Sequence, residues 1–257
     1  MNELIFEQKG YTAYLTINRP DSLNTFTDEL VDTFTDKINE IGKKRDIRVV
    51  IIKGSGKSFC AGVDVKGKEY NPLNAREFLI RFNNLLNRLE ELPQPSVSLI
   101  QGAAVAGGFE LALASTFRFA VKESKFGLPE AKLGLVAAGG ASFRLPRLVG
   151  FGKALEIGLT GDLIKGDEAL QIGLINKLFN DYESMESEAE KFADKIASNA
   201  PLAISFLKDS FYKNLQNSVD VATLLEILSA SVNHYSEDKK EGVKAFFEKR
   251  KPDFKGF

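Results

Sequence analysis

The stretch SVSLIQGAAVAGGFELALA, residues 96–114, decides the fold of this chain. Its first five residues are typical of a buried strand, and small residues then lead through Gly107 and Gly108 into an apolar helix. Upstream, VVIIKG (49–54) is a continuous apolar strand that leads in the same way into the small residues of GKSFCAGVDV (56–65). This alternation of strand, loop and helix predicts βαβ crossovers and therefore an α/β fold with a parallel sheet.

The rest of the chain divides into two parts of different character. Before about residue 150, strands alternate with helices, and Thr27 is a plausible N-cap for the first helix. After that point the pattern is helical with almost no strand signal. The predicted strands are 3–8, 12–18, 49–53, 96–100 and 117–121, and the predicted helices are 27–44, 75–91, 109–115, 151–159, 167–172, 184–199, 201–215, 217–233 and 237–249.

Composition excludes several classes of protein. A formal net charge of −1 over 257 residues argues against electrostatic binding to nucleic acid or to a membrane surface. No apolar run approaches the ~20 residues of a membrane span. The one cysteine, Cys60, excludes an intrachain disulfide framework, and the one histidine, His234, argues against a histidine metal site. The N-terminus resembles neither a secretory signal nor a transit peptide, so we expect a cytoplasmic protein with no bound metal.

The two small-residue loops predict a binding site made of backbone. Ligands of open α/β sheets bind beyond the carboxyl ends of the strands, and a helix N-terminus offers unpaired N–H groups there. Two such loops side by side can aim two N–H donors at one oxygen, which is the design of an oxyanion hole. The alternative, that small residues serve only tight strand–helix packing, stays open on local evidence.

Two glutamates are candidates for acid–base chemistry. Glu110 lies in a helix whose neighbours are apolar on every side, and a buried carboxylate is usually functional or paired. The structural alternative for Glu110 is an ion pair with Arg118. Glu130 follows Pro129, which is an ordinary helix start, so the local pattern favours a structural role for it.

Six motifs, in order and spacing across essentially the whole chain, resemble those of the crotonase superfamily, also called the enoyl-CoA hydratase/isomerase family. No single motif is decisive, but the set is specific. The motifs are NRPDSLNTF (18–26), SFCAGVDV (58–65), QGAAVAGGFELALA (101–114), FGLPEAKLGLV (126–136), RLPRLVG (144–150) and SEDKKEGVKAFFEKRKPDFKG (236–256).

The resemblance implies a crotonase-like fold, a spiral of ββα repeats with C-terminal helices that trimerise. It places the core at residues 1–195 and the helical region at 196–257, and it implies a homotrimer or a dimer of trimers. The implied substrate is an acyl-CoA thioester, with no separate cofactor because coenzyme A is part of the substrate.

The resemblance also assigns roles to residues of the two loops and to both glutamates. The backbone N–H groups of Val63 and Gly107 would hold the thioester oxygen. Glu110 would act as the base on water, and Glu130 would exchange a proton with C2, so that a 2-enoyl-CoA gains water across C2=C3. Further substrate or CoA contacts are implied at Leu23, Ala61, Gly62, Asp64, Val65, Lys66, Gly108, Phe254 and Lys255, the last two toward a neighbouring subunit's CoA.

Departures from the family pattern bear on the choice of reaction. Thr116 stands where an aspartate is common, and Ala137-Ala138 replaces a frequent Pro-Asp pair. Ala138 has no proton to exchange, which disfavours isomerases that use that aspartate. Phe109 and Phe143 are candidates for shaping the acyl pocket, and the acyl group itself stays open.

Three alternatives to a hydratase stay open. A Δ3,Δ2-enoyl-CoA isomerase would use Glu130 to move a proton between C2 and C4. Some relatives bind RNA, attributed to a lysine-rich first helix, but the acidic residues of the first helix here repel phosphate. A catalytically silent scaffold is disfavoured because both glutamates and both loops are present. The acidic residues of that helix are Asp28, Glu29, Asp32, Asp36 and Glu40.

Overall fold

Two β-sheets, flanked by helices, form the core of the computed structural model, which describes residues 2–64 and 71–257. The larger sheet has the strand order β1-β2-β3-β4-β6-β9, and the smaller has the order β5-β7-β8. The strands are β1 (Leu4–Lys9), β2 (Thr12–Ile17), β3 (Val49–Gly54), β4 (Ser96–Ile100), β5 (Ala103–Val105), β6 (Phe117–Val121), β7 (Lys125–Gly127), β8 (Ile164–Lys165) and β9 (Lys177–Phe179).

Helices cover both faces of the larger sheet and make up the C-terminal part of the chain. They are α1 (Asp28–Ile41), α2 (Pro72–Glu91), α3 (Gly107–Ala114), α4 (Ala141–Val149), α5 (Phe151–Thr160), α6 (Gly166–Gln171), α7 (Tyr182–Ala197), α8 (Pro201–Asn214), α9 (Val219–His234) and α10 (Glu237–Phe247). No helix within the described ranges has the length and apolar character needed to cross a membrane.

The larger sheet confirms the predicted α/β fold. β1 and β2 form the antiparallel hairpin, and every later pairing in this sheet is parallel. Strand β3 is buried on both faces: Val50 and Ile52 join the core cluster that includes the buried side chains of α1 and α2, whereas Val49 and Ile51 join the cluster that includes those of α7. Continuous apolar strands are expected where both faces of a sheet are covered.

Local sequence explains where α1 and α2 begin. The Thr27 hydroxyl accepts a hydrogen bond from Leu30 N at 3.0 Å, which confirms the predicted N-cap. Helix α2 begins at Pro72, three residues earlier than predicted, because the Asn71 side chain caps it by accepting from Leu73 N and Asn74 N. Pro at the first helical position fits this start, since its missing N–H has no intrahelical partner there.

The smaller sheet and β9 were not predicted. Strands β5, β7 and β8 are only two or three residues long, so they carry no alternating pattern of their own. The expectation of almost no strand after residue 150 is wrong at β8 and β9, which pair with β7 and β6.

The C-terminal helices α8 and α9 pack on each other and leave apolar side chains exposed. Neither helix has a fully buried residue. Their exposed apolar residues include Leu207, Phe211, Leu224, Ile227 and Leu228. The proposed division of the chain between residues 195 and 196, close to the end of α7, stays a prediction.

Candidate active site

The two small-residue loops lie side by side and are hydrogen-bonded along their length. Phe59 N donates to Gln101 O at 2.8 Å, and Cys60 N donates to Ala103 O at 2.9 Å. Gly108 packs closely against the first of these loops, because a Cβ built on it would lie 2.1 Å from Cys60 O. Cys60 is fully buried, and burial raises the pKa of its thiol to about 12, so it fills space rather than acting as a nucleophile.

We expect Gly108→Ala to destabilise the protein by about 2 kcal/mol or more, because a contact of this kind forces the two loops apart. Gly152→Ala is the matched control: it lies in α5 with open space around its Cβ position, and we expect it to stabilise by about 0.5–1 kcal/mol. Urea unfolding measures both. Equal stabilities of the two variants would contradict the close approach of the loops.

Backbone geometry turns the N–H of Val63 away from Phe26, with which Val63 forms an isolated β-bridge. Phe26 N donates to Gly62 O and Asp64 N donates to Phe26 O, each at 2.8 Å. Since successive peptide groups of an extended segment point to opposite sides, the N–H of Val63 points away from Phe26. Gly107, at the start of α3, also has an N–H with no acceptor inside its helix.

The side chain of Val63 lies next to Gly107, since a Cβ built on Gly107 would be 3.2 Å from Val63 Cγ2. Ala106, just before Gly107, has φ 51° and ψ −129°, a conformation that costs a side-chain-bearing residue about 1–3 kcal/mol. Its N–H donates to Gly127 O, and its carbonyl accepts from Phe109 N and Glu110 N, so β7 and α3 hold the strained residue in place. The structure therefore brings Val63 and Gly107 together, and their role as an oxyanion hole stays a prediction.

Glu110 is buried, with 3% of its surface exposed, and its Oε1 accepts a hydrogen bond from Gly139 N at 2.5 Å. The alternative of an ion pair with Arg118 is wrong, because that guanidinium donates to the carbonyls of Ser115 and Leu174. Burial raises the pKa of Glu110 from 4.5 to about 7, against the lowering effect of the Gly139 hydrogen bond, and the charge of Glu130 raises it further.

Glu130 lies in a 3₁₀ turn, Pro129–Leu133, and its Oε2 is buried without a hydrogen-bond partner among the described residues. Burial raises the pKa of this carboxyl as well. An unpaired buried carboxyl oxygen is unfavourable for folding, which weighs against the purely structural role that the local sequence favours. The fold thus brings two carboxyls with raised pKa to one place.

The loop that contains Ala138 and Gly139 holds Glu110 in position, and the buried Arg144 supports that loop. Neither is among the site residues predicted from the sequence. Arg144 is 4% exposed, donates to Gly139 O at 3.1 Å and forms an ion pair with Glu90. Asn83 donates to Ala138 O at 2.6 Å, so α2 fixes the same loop from the other side. The Gly139-Gly140 pair in a Gly/Ala-rich turn was the available signal in the sequence.

The ring of Phe82 in α2 packs against both Gly107, beside Val63, and Gly139, beside Glu110. Cβ atoms built on Gly107 and Gly139 would lie 3.2 Å from its Cζ and 2.7 Å from its Cε1. A Cβ on Gly139 would also lie 2.3 Å from Glu110 Oε2, so the loop can approach the carboxylate this closely only with glycine.

An apolar cavity of about 440 Å³ adjoins Glu130. Phe109 does not line it, because that ring is fully buried against Phe126, and Phe143 lies beside Arg144 and Arg147 instead. The apolar lining of this cavity includes Leu128, Leu135, Val136, Ala141, Leu145 and Leu155.

The other predicted contact residues that the structure describes lie either at the first loop or beside α10. Leu23 and Ala61 join the first loop to the preceding turn through the bond from Ala61 N to Leu23 O at 3.0 Å, and Asp64 pairs with Arg19 at 2.9 Å. Gly62 adopts φ 110°, which favours glycine. The predicted contacts at Val65 and Lys66 lie outside the described residues.

Phe254 and Lys255 lie at α10 rather than with the two loops of the same chain. Lys255 N donates to Asp238 Oδ1 at 2.6 Å, and the Phe254 carbonyl accepts from Arg48 at 2.5 Å. The Phe254 ring packs on Gly242. Their predicted contact with a neighbouring subunit's CoA stays a prediction.

We expect Glu110→Gln to stabilise the protein at high pH and not at low pH. The pKa of Glu110 rises from 4.5 to about 7 on folding, so between these values the unfolded chain loses its proton first and the free energy of unfolding falls as pH rises. Glutamine removes this titration, which gives a gain of about 3 kcal/mol at about pH 8 and little at about pH 4. Urea unfolding at both pH values, with the exposed Glu123→Gln as control, would contradict this if the gain did not depend on pH.

Comparisons with known proteins identify the family of this chain. The family model described as enoyl-CoA hydratase/isomerase matches residues 7–256. A short-chain-enoyl-CoA hydratase of Clostridium acetobutylicum is 38% identical, with 98% of this chain and 97% of the relative covered. A crotonyl-CoA hydratase of Syntrophomonas wolfei is 35% identical, with 98% and 97% covered.

A crystal structure of an enoyl-CoA hydratase from Bacillus anthracis superposes with a TM-score of 0.96 at 32% identity, and all of both chains is covered. The similarity therefore extends over the six-motif pattern, the two sheets and the C-terminal helices alike. This chain belongs to the enoyl-CoA hydratase/isomerase family.

Proposed function

We propose that this chain is a 2-enoyl-CoA hydratase that adds water across the C2=C3 bond to give a 3-hydroxyacyl-CoA. The observation that carries the proposal is the placement of Glu110 and Glu130. Both carboxyls have a raised pKa: Glu110 is buried and fixed by Gly139 N–H, and Glu130 is half-buried, with its Oε2 shielded from solvent, and lines an apolar cavity. The relatives named as hydratases support the same reaction.

In the proposed mechanism Glu110 takes a proton from water, and the water oxygen forms a bond to C3. The electron pair of the C2=C3 bond moves toward the thioester, where the N–H groups of Val63 and Gly107 hold the oxygen that gains negative charge. Glu130 delivers a proton to C2, so the product contains the substrate plus one water. Glu110 then gives up the proton it took and Glu130 regains one, which restores both groups for the next turnover. A base with a pKa near neutrality is suited to this exchange of protons.

The acyl chain would enter the cavity beside Glu130, whose lining is mostly apolar. No cofactor is required by this mechanism, since coenzyme A belongs to the substrate and both protons are carried by glutamates. We further propose a homotrimer or a dimer of trimers in the cytoplasm. The exposed apolar side chains of α8 and α9 support an assembly that covers them.

The second candidate is Δ3,Δ2-enoyl-CoA isomerisation, in which Glu130 moves a proton between C2 and C4. The position of Glu130 on the cavity wall favours it, and the family includes isomerases by its description. Ala138, whose carbonyl accepts from Asn83, supplies no side-chain base. RNA binding has less support, because the face of α1 is acidic. Arg81 of α2, a cation beside that face, already pairs with Asp28 and Asp32.

Absorbance of the conjugated enoyl-thioester separates the two reactions. A hydratase removes the absorbance of crotonyl-CoA, whereas an isomerase creates it from a 3-enoyl-CoA. We expect fast loss with crotonyl-CoA. No loss with crotonyl-CoA, together with a gain from the 3-enoyl substrate that depends on Glu130 alone, would move the proposal to the isomerase.

A further inference from the structure

A second cavity, of about 230 Å³, lies under α8 and outside the site of the two glutamates. Arginines dominate its polar lining: Arg118, Arg144 and Arg147 all contribute. Among the described residues that line it, Glu90 is the one carboxylate, so the lining carries a net charge of about +2.

Arg118 is buried without a carboxylate partner among the described residues, whereas Arg144 is paired with Glu90 and Arg147 is exposed. Arg118 is 4% exposed, and its hydrogen bonds go to backbone carbonyls: Nε to Leu174 O at 2.7 Å, and Nη1 to Ser115 O at 2.6 Å and to Ala112 O at 3.3 Å. Its Nη2 makes no hydrogen bond to any described residue. A buried charge is costly unless it is paired, and neutral carbonyls do not supply the missing negative charge.

The charged residues near Arg118 do not supply the negative charge that it lacks. Glu90 is already paired with Arg144, and Lys208 places a further cation beside the cavity by donating to the carbonyls of Glu90 and Leu92. Burial lowers the pKa of Lys208 to about 8, despite the carboxylates of Glu91 and Asp209 near it. Those two carboxylates do not line the cavity.

Two neutral lining residues complete the surroundings. Thr116 carries a hydroxyl that accepts from Ser96 N at 3.1 Å. Tyr212 of α8 lines the cavity close enough to both Arg118 and Glu90 for each charge to act on its hydroxyl. The described lining of the cavity therefore offers guanidinium and hydroxyl donors, and its one carboxylate, Glu90, is already paired with Arg144.

We propose that this cavity binds a small oxyanion, a phosphate group, through Arg118, Arg147 and the Tyr212 hydroxyl. Arginine donors match the oxygens of phosphate in geometry and charge. The phosphate group comes either from free orthophosphate or from a molecule that carries one, such as coenzyme A. The site is distinct from that of Glu110 and Glu130, although Arg144 borders both, and it does not depend on the proposed hydratase activity.

The test is thermal unfolding of the wild-type chain in orthophosphate at constant ionic strength. We expect the midpoint to rise by about 5–10 °C at a hundredfold excess of phosphate over its Kd. Coenzyme A is the second probe: if it gives the same rise and competes with orthophosphate in calorimetry, the phosphate group is that of the coenzyme. If orthophosphate acts and coenzyme A does not compete, the ligand is the free anion.

Three variants locate the effect. Arg147→Gln should weaken the response to phosphate at least tenfold, whereas Arg88→Gln, an exposed arginine of α2 with the same change in charge, should leave it intact. Thr116→Asp places a carboxylate among the arginines, so it should raise the midpoint without phosphate and abolish the response. No response in the wild type, or a response that Thr116→Asp and Arg147→Gln leave unchanged, would overturn the proposal.

Discussion

Replacing Glu110 or Glu130 by glutamine should lower kcat for crotonyl-CoA hydration by about 10²–10⁴-fold, the range expected for loss of a general acid or base. Glutamine keeps the size of each side chain and can still accept from Gly139 N–H, so the loop around Glu110 stays in place. KM should change far less, because neither substitution removes apolar contacts with the acyl chain. Steady-state absorbance kinetics measures both constants.

Glu123→Gln, an exposed glutamate, is the control for the change in charge and should retain wild-type activity. The double variant should be little worse than either single variant, since residues that act in one step give non-additive losses. A Glu110→Gln variant within tenfold of wild type would remove Glu110 from the role of base. Full activity of Glu130→Gln would likewise leave the proton at C2 without a donor.

Gly107→Pro should lower kcat by about 10²–10³-fold relative to Gly107→Ala, because proline lacks the N–H that would hold the thioester oxygen. The comparison with alanine is essential, since any Cβ at this position comes within 3.2 Å of Phe82 and Val63. Alanine carries this steric effect but retains the donor. The difference between the two variants therefore removes the effect of the Cβ and leaves the loss of the donor together with the effect of the proline ring on Ala106.

Circular dichroism and the thermal midpoint must show that the proline variant keeps its fold, because Ala106 before it is already in a strained conformation. The first helical position tolerates proline, which favours a folded variant. If a folded Gly107→Pro were as active as Gly107→Ala, the oxyanion hole would not include this N–H.

The long apolar strands of the fold were predictable from the sequence, and the strands of two or three residues were not. VVIIKG and SVSLI predict β3 and β4 because strands buried on both faces leave a dense apolar signal. Strands β5, β7 and β8 exist through pairing with distant segments, such as Ala104 with Phe126, and their two or three residues carry no period.

The candidate site shows the same division between local and distant information. An apolar helix around Glu110 predicts a buried carboxylate, and the structure confirms that burial. The hydrogen bond from Gly139 N to Glu110 joins residues 29 positions apart, so the Gly139-Gly140 pair could indicate a turn but not its partner. Glu130 is a contrary case, since its local context favours a simple helix start and only its unpaired buried oxygen indicates more.

Mass spectrometry of the product formed from crotonyl-CoA in H₂¹⁸O is the most direct test of hydration at this site. We predict a thioester heavier than the substrate by one labelled water, with the label in the 3-hydroxyl group, formed by the wild type and not by Glu110→Gln or Glu130→Gln. A product of unchanged mass, release of free coenzyme A, or equal labelling in the Glu110→Gln variant would contradict a two-glutamate hydratase.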